Sequence, residues 1–330
     1  MSKKAVALLS GGLDSTLAIK VLLEQGIEVV ALNFLTPFCC CSSFKTGCSH
    51  VAVTVSKQFK IEVKFVHLGQ EYLEVVKSPK HGYGKNLNPC IDCRILMLKK
   101  AKEFMKESGA SFIVTGEVLG QRPMSQHRRA LETIEKESGL AGLILRPLSA
   151  KMLPPTIIEQ KGWVDRDSLL DISGRTRKPQ IKLAGLFGVK DYSCPAGGCL
   201  LTDKLYASRL KDLIKHKDFN MHNVNLLRTG RYFRINPSLI LFVGRNEQEN
   251  NRLIVLAKES DTIFEPVSLA GPTAIGRGEL DGNTKILCAQ IIARYTSKGE
   301  KVEVQIITNN QKEVLTVDNI AQNVFEQLIV

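Results

Sequence analysis

Apolar runs alternate with amphipathic stretches along the first 118 residues. The apolar runs predict buried strands over 4–10, 28–35, 61–68 and 111–118. The amphipathic stretches predict helices over 15–25, 50–59 and 90–110. Strands alternating with helices predict an α/β fold with a doubly wound parallel sheet, in which ligands bind at the carboxyl ends of the strands.

The pattern changes in the second half of the chain. Residues 166–188 are partly helical, and 204–216 have the pattern of an exposed helix that connects two domains. Short strand-like runs with turns follow, among them the apolar run at 285–295. We therefore predict a domain over 1–203, a connecting helix over 204–216 and a smaller α+β domain over 217–330.

Composition is that of a soluble globular protein, with 330 residues, 44% hydrophobic, and a mean hydropathy of −0.03. No apolar run approaches the roughly 18–20 residues of a membrane helix, and the first apolar run is too short for a signal peptide. We expect a cytoplasmic protein with no membrane partner.

The net charge of +12 is concentrated in the middle of the chain, where residues 51–250 hold 33 Lys and Arg against 20 Asp and Glu. This surplus suits a polyanion such as nucleic acid, or else forms a solvated basic surface.

A possible anion site follows the first strand, where "SGGLDS" at 10–15 leads into a helix. Glycines let backbone amides approach an anion, and the helix N-terminus adds its positive dipole end. The alternative is a tight strand–helix turn capped by Ser and Asp. The spacing is neither that of a Walker A loop nor that of a dinucleotide-binding loop.

This stretch resembles the S-G-G-x-D-S loop of the PP-loop ATP pyrophosphatases, which cleave ATP between its α- and β-phosphates. The resemblance is complete at Ser10, Gly11, Gly12, Asp14 and Ser15. It implies that the serines and glycines hold the pyrophosphate and that Asp14 helps to hold Mg²⁺.

Position in the sheet extends the expected ATP site to two further strand ends. Asn33 and Phe34, at the end of the second strand, are expected near the adenine. The "TGE" at Thr115, Gly116 and Glu117, at the end of the fourth strand, is expected near the α-phosphate and ribose.

The nine cysteines are the second group of residues that could carry out chemistry. Their odd number and the lack of a secretory signal favour metal or sulfur chemistry over a disulfide framework. "NPCIDCR" places Cys90 and Cys93 at a helix start, where the dipole favours thiolates. "CPAGGCLLT" offers Cys194 and Cys199 as a third ligand. These thiols could hold an iron–sulfur cluster or zinc, or Cys90 and Cys93 could be a redox pair.

The cysteine set resembles that of the cluster-dependent tRNA thiolases within the PP-loop class. The resemblance implies a 4Fe–4S cluster on Cys90, Cys93 and Cys199, with an open iron that carries sulfide. We expect these thiols and Asp14 to act in catalysis and to meet in one cavity.

The remaining cysteines have less defined roles. Cys39, Cys41, Cys48 and His50 could bind zinc, or these thiols and that of Cys40 could lie in a loop beside the active site. Cys288 falls in an apolar, strand-like run and is expected in the core.

Basic residues cluster in three polar segments, 77–90, 116–131 and 173–180, which would admit a phosphate backbone or form solvated loops. The C-terminal part resembles the RNA-associated domain named for the NFACT proteins, through Arg228, Arg231, Arg234 and Arg245. The resemblance implies that this domain recognises RNA.

These features together predict an ATP-dependent tRNA sulfurtransferase. ATP would adenylate a uridine carbonyl oxygen, and sulfur from free sulfide or a sulfur-carrier protein would then displace AMP. An amidating PP-loop ligase acting on RNA or a small molecule is one alternative, and a non-catalytic RNA-binding factor is another.

Overall fold

A computed structural model describes residues 3–39, 48–190, 192, 199–296 and 301–330. Cys40, Cys41 and Cys194 lie outside the described residues, as does the side chain of Cys48. The chain divides into two compact units, Met1–Thr202 and Asp203–Val330. None of the helices in the described ranges is long and apolar enough to cross a bilayer.

The first unit is built on a five-stranded parallel sheet with the order β3-β2-β1-β4-β5. Its strands are β1 (Lys4–Leu8), β2 (Glu28–Leu35), β3 (Glu62–His67), β4 (Phe112–Thr115) and β5 (Ile144–Leu145). The strand order reverses direction between β1 and β4, so the crevice beyond their carboxyl ends is where a ligand binds in such a fold. The predicted α/β fold class is confirmed.

Seven α-helices surround this sheet in the described part of the unit. They are α1 (Leu13–Leu23), α2 (Cys48–Phe59), α3 (Gln70–Lys77), α4 (Cys90–Glu107), α5 (Arg128–Ser138), α6 (Ile157–Gln160) and α7 (Lys178–Leu186). Helices α3 and α5 were not anticipated from the sequence. The polar segment predicted at 116–131 is therefore only partly a loop, because α5 begins within it.

Side chains of the central strands point alternately to two cores. Ala5 and Ala31 pack with α1 and α2 on one face, whereas Val6 and Val30 pack with α4 and α5 on the other. Burial on both faces explains the near-continuous apolar runs of these strands. Each fully buried Leu or Val contributes about 1.5–3 kcal/mol to folding.

The second unit contains a six-stranded sheet with the order β11-β10-β8-β9-β7-β6, in which neighbouring strands are antiparallel. Its strands are β6 (Arg231–Asn236), β7 (Leu239–Val243), β8 (Thr262–Pro266), β9 (Ala274–Gly278), β10 (Val302–Thr308) and β11 (Gln311–Val317). Its helices are α8 (Lys204–Lys215), α9 (Met221–Leu226), α10 (Glu247–Leu256), α11 (Gly282–Ala293) and α12 (Gln322–Leu328).

The strand-like reading of 285–295 is wrong, because most of this run lies in α11. Asp281 caps the helix by accepting a hydrogen bond from the Thr284 amide at 2.8 Å. Cys288 is buried in the core as predicted, but on a helix that packs against the sheet.

Candidate active site

The loop after β1 is organised by its own serines. The Ser15 hydroxyl donates to the Gly12 carbonyl at 2.8 Å, and the amides of Ser10 and Gly12 donate to the hydroxyls of Ser15 and Ser10, each at 3.3 Å. Gly11 takes a positive φ of 74°, which a side chain would strain. The first amides of α1 have no acceptor within the helix, so this end of α1 can bind an anion.

The end of β4 closes tightly on that loop. A Cβ at Gly116 would lie 2.4 Å from the Ser15 amide nitrogen and 2.5 Å from the Asp14 carbonyl carbon. Only glycine permits this approach, which brings the ends of β1 and β4 together as the predicted site requires.

A cavity of about 280 Å³ opens at this point and joins the two predicted sites. Loop residues and strand ends form one part of its wall, and thiols form another. The predicted residues on the wall are Ser10, Gly12, Asp14, Ser15, Phe34, Cys90, Cys93, Thr115, Gly116 and Cys199. The structure therefore brings Asp14 and the three thiols into one cavity, while their roles as ligands and catalysts stay predictions.

The wall, as far as the described residues form it, includes neither Gly11 nor Asn33. Asn33 is buried, and its amide donates to the Leu9 carbonyl at 2.7 Å, so it supports the loop from behind. Its expected place beside an adenine is therefore not what the structure shows; Phe34 is the residue of this pair that lines the cavity.

The two carboxylate oxygens of Asp14 differ in their hydrogen bonding. Oδ2 accepts from the Gln121 amide at 2.7 Å and lies 3.2 Å from Arg177 Nη2. Oδ1 is buried with no hydrogen-bond partner among the residues that the structure describes. A single carboxylate with an oxygen to spare suits Mg²⁺, which takes one or two carboxylates together with phosphate oxygens.

Burial dominates the protonation of the three thiols. It raises the pKa of Cys90, Cys93 and Cys199, the last to about 12. Arg122 and Arg94 act in the opposite direction on Cys90. The expected effect of the helix dipole, which favours thiolates, stays a prediction; desolvation acts in the opposite direction and is the largest contribution to the pKa of these thiols.

The thiols of Cys90, Cys93 and Cys199 line one cavity and have the donor chemistry of iron–sulfur cluster ligands. Within the described ranges, no group of three or more His, Cys, Asp or Glu side chains is placed to hold a metal ion. The cluster and the zinc alternative accordingly remain predictions.

Several cavity residues were not identified from the sequence. The Tyr72 hydroxyl hydrogen-bonds to Cys93, and the Asn88 side chain hydrogen-bonds to Cys90. Arg94, on the wall beside them, lies one residue after Cys93, so the CxxC motif itself could have pointed to it. Tyr72 belongs to α3, which the sequence reasoning missed entirely.

Glu117 lies beneath the cavity rather than on its wall. Its carboxylate accepts from Arg146 Nε at 3.0 Å and Thr115 Oγ1 at 3.1 Å, and lies 3.5 Å from Arg94 Nε. Burial alone would raise the pKa of Glu117, but Arg146 and Arg94 more than offset it and hold the pKa below its usual value. Glu117 therefore positions Arg94, and the expectation that it lies near a ribose is not supported by this placement.

The predicted basic segments divide between the cavity and the surface. Arg122 and Arg177 line the cavity. Lys80 instead pairs with Glu137 at 2.8 Å, and Arg128 donates to the Met152 carbonyl at 3.1 Å. Burial, and then the charge of Arg94, lower the pKa of Arg122. Cations crowded in this way favour an anionic ligand.

The arginines expected to contact RNA in the second unit are mostly engaged within the fold. Arg234 pairs with Asp212 at 2.7 Å and Asp218 at 2.8 Å, and Arg245 pairs with Glu249 at 2.5 Å. Arg231 donates to the Gly244 carbonyl at 3.0 Å and stacks 4.0 Å from the centre of the Tyr295 ring. Arg228 precedes β6 in a turn and is half-buried.

The doubly wound sheet and the serine–glycine loop at its switch point lie in the part of the chain that a known family model matches. Residues 1–153 match the family model described as thiamine biosynthesis protein (ThiI). Residues 230–329 match the model described as NFACT protein RNA binding domain. The predicted resemblance of both parts of the chain is confirmed.

Two curated relatives match part of the chain. A probable tRNA sulfurtransferase from Thermococcus kodakarensis is 31% identical over 156 residues, which are 44% of this chain and 36% of that protein. A tRNA-specific 2-thiouridylase MnmA from Fervidobacterium nodosum is 26% identical over 191 residues, which are 53% of this chain and 52% of that protein. The chain thus spans about half or less of the length of these relatives.

Two solved structures show more distant likeness. A 4-thiouridine synthetase–RNA complex with bound ATP gives a TM-score of 0.37 at 24% identity, covering 57% of this chain and 52% of that one. The U34-tRNA thiolase NcsA from Methanococcus maripaludis with its 4Fe–4S cluster gives 0.35 at 18% identity, covering 69% of this chain and 73% of that one. These TM-scores are too low to carry an argument about function.

Proposed function

We propose that the chain is an ATP-dependent tRNA sulfurtransferase that replaces a uridine carbonyl oxygen with sulfur. The observation that carries the proposal is the shared cavity, whose wall includes Ser10, Asp14 and the thiols of Cys90, Cys93 and Cys199. The names of the two curated relatives, a tRNA sulfurtransferase and a 2-thiouridylase, support the same reaction class.

The first half-reaction takes place at the loop. Ser10, Ser15 and the first amides of α1 bind the phosphates of ATP, while Arg122 and Arg177 offset their charge. A Mg²⁺ held by Asp14 and phosphate oxygens supplies neutralisation of the leaving pyrophosphate. The uridine oxygen attacks the α-phosphorus, the bond to the β-phosphate oxygen breaks, and pyrophosphate leaves.

The second half-reaction needs a sulfur nucleophile that can add to the activated carbon. Hydrosulfide, free or delivered by a carrier protein, adds to the carbon; AMP leaves with the former carbonyl oxygen, and one proton is released. Adenylation is required because the carbonyl oxygen is a poor leaving group and AMP is a good one. Both half-reactions must use one pocket, and the shared wall allows this.

Cys90, Cys93 and Cys199 would hold a 4Fe–4S cluster in this proposal. Three protein thiolates would leave one iron of such a cluster open, and that iron would supply a binding position for sulfide. The thiols would release their protons on binding the metal.

Anaerobic purification with iron and sulfide analysis, followed by nucleoside mass spectrometry of tRNA incubated with ATP and sulfide, tests the proposal. We expect iron and sulfide in the protein and a thiolated uridine in the tRNA. Cys93→Ser should lose both, and Cys288→Ala, which removes a thiol from the core of the second unit, should retain both. Nitrogen incorporation would instead indicate an amidating ligase, and tRNA binding without pyrophosphate release would indicate an RNA-binding factor.

A further inference from the structure

A fourth thiol lies beside the three already described. Cys39, shortly after β2, forms an isolated antiparallel bridge with Cys199. Both residues line the cavity, and Cys39 is among the groups whose charge raises the pKa of Cys199. The backbone pairing and the shared cavity wall therefore place these two residues side by side.

The type of bridge fixes the distance between the two residues. The Leu200 amide donates to the Phe38 carbonyl at 2.8 Å, one position outside the bridge on each segment. A bond at that position flanks a non-hydrogen-bonded antiparallel pair, in which the α-carbons are about 4.5 Å apart and the side chains are close. Disulfides span α-carbon distances of about 4.4–6.8 Å, so the separation typical of such a pair lies within the range that a disulfide can bridge.

We propose that Cys39 and Cys199 form a reversible disulfide that withdraws Cys199 from the three-thiol set. The disulfide itself is inferred from the backbone bridge between Cys39 and Cys199 alone. Its consequence for cluster loading rests on the proposed function.

The bond forms by exchange with a low-molecular-weight disulfide such as oxidised glutathione. One cysteine thiolate attacks a glutathione sulfur, and one glutathione leaves as a thiol. The second cysteine then attacks the protein sulfur of the mixed disulfide and releases the other glutathione. The two protein thiols lose two electrons and two protons, and the small disulfide is reduced to two thiols.

The disulfide would act as a redox switch on the site. In the oxidised state Cys199 has no thiolate to offer a metal, whereas Cys90 and Cys93 remain as thiols on the cavity wall. Transient, redox-sensing disulfides of this kind are the ones found in reducing compartments. A reductant restores the full thiol set.

The test uses the full chain, reduced and stripped of metal, and equilibrated with increasing ratios of oxidised to reduced glutathione. Remaining thiols are alkylated, and linked peptides are mapped after trypsin digestion. The tryptic peptide 21–45 carries Cys39 together with Cys40 and Cys41, and peptide 191–204 carries Cys199 together with Cys194. Single variants must therefore identify the bonded pair.

We expect a link between the two peptides that is lost in Cys39→Ser and in Cys199→Ser. It should persist in the matched controls Cys40→Ser, Cys41→Ser and Cys194→Ser. A link that persists in Cys39→Ser, or both peptides fully alkylated in the wild type at every glutathione ratio, would overturn the proposal.

A second arm measures iron uptake by oxidised and by reduced protein. Wild type should lose iron uptake on oxidation and regain it with dithiothreitol, whereas Cys39→Ser should take up iron in both conditions. A protein that forms the link but never binds iron would refute the cluster and leave the disulfide standing. Iron uptake without any link would refute the disulfide and leave the proposed function standing.

Discussion

Gly116 allows the end of β4 to lie close to the serine–glycine loop at 10–15. The Gly116→Ala methyl group would sit 2.4 Å from the Ser15 amide nitrogen, so the backbone must move. We expect a stability loss of about 1–3 kcal/mol and ATP affinity reduced at least about tenfold. Calorimetric titration with ATP and thermal unfolding measure both.

The matched control is Gly185→Ala in α7, where a Cβ meets nothing within 4 Å. That change should leave ATP binding intact and raise stability slightly, because alanine favours the helix. Equal ATP affinity in the two variants would show that the close approach of β4 does not shape the loop.

The second residue-scale prediction concerns acid stability. The pKa of Glu117 is lower in the folded protein than in the unfolded chain. The charge of Glu117 therefore stabilises the fold at pH values above the unfolded pKa of about 4.3. This stabilisation is lost as the pH falls through the folded pKa. Glu117→Gln removes one of the two carboxylates that pair with Arg146, Glu135 being the other, and should lower the free energy of unfolding at pH 7 by about 1–3 kcal/mol.

Urea unfolding at pH values from 7 down to 3 checks this. The difference in free energy of unfolding between the wild type and Glu117→Gln should shrink as the pH falls, because protonation of Glu117 breaks the ion pair in the wild type. Glu62→Gln, on the exposed side of β3, serves as the control and should follow the wild type. A deficit independent of pH would mean that Glu117 acts through packing and not through its charge.

At the scale of elements, Asp212 ties α8 to β6. It accepts a hydrogen bond from Arg234 Nε at 2.9 Å and another from the Tyr232 hydroxyl, and both charged side chains are largely buried. We expect Asp212→Ala to cost about 3 kcal/mol of stability, measured as a lower urea midpoint.

Asp218→Ala removes the other carboxylate that pairs with Arg234 and is the matched comparison. Because Asp218 is more exposed, at 33% against 13% for Asp212, its loss should cost no more than about 1 kcal/mol. Similar losses in the two variants would refute the view that Arg234 mainly holds α8 to the sheet.

Sequence periodicity located some elements well and others not at all. The run 28–35 became β2 at the predicted bounds because it is apolar, β-branched and buried on both faces. The run 285–295 is just as apolar, but its apolar residues are spread around the helix, with Ile286 exposed and Cys288 buried, so they show no helical period. The Asp281–Thr284 capping pair was the local feature that could have identified this run as a helix and not a strand.

At the scale of the whole molecule, local motifs predicted the site better than they predicted its surroundings. The S-G-G-x-D-S loop and CxxC each follow from adjacent residues, and strand order then brings them to one crevice. Tyr72, Gln121 and the Cys39–Cys199 bridge depend on contacts between distant segments, which periodicity does not report. Asn33 was misplaced because position at a strand end does not fix which way a side chain points.

The central claim is that one cavity carries out both adenylation and sulfur transfer. Pyrophosphate release and sulfur incorporation, followed in parallel on the same tRNA under anaerobic conditions, test it most directly. Asp14→Asn should reduce both at least about 100-fold, whereas Cys90→Ser should retain pyrophosphate release and lose sulfur incorporation. Undiminished thiolation by Cys90→Ser, or undiminished pyrophosphate release by Asp14→Asn, would contradict it.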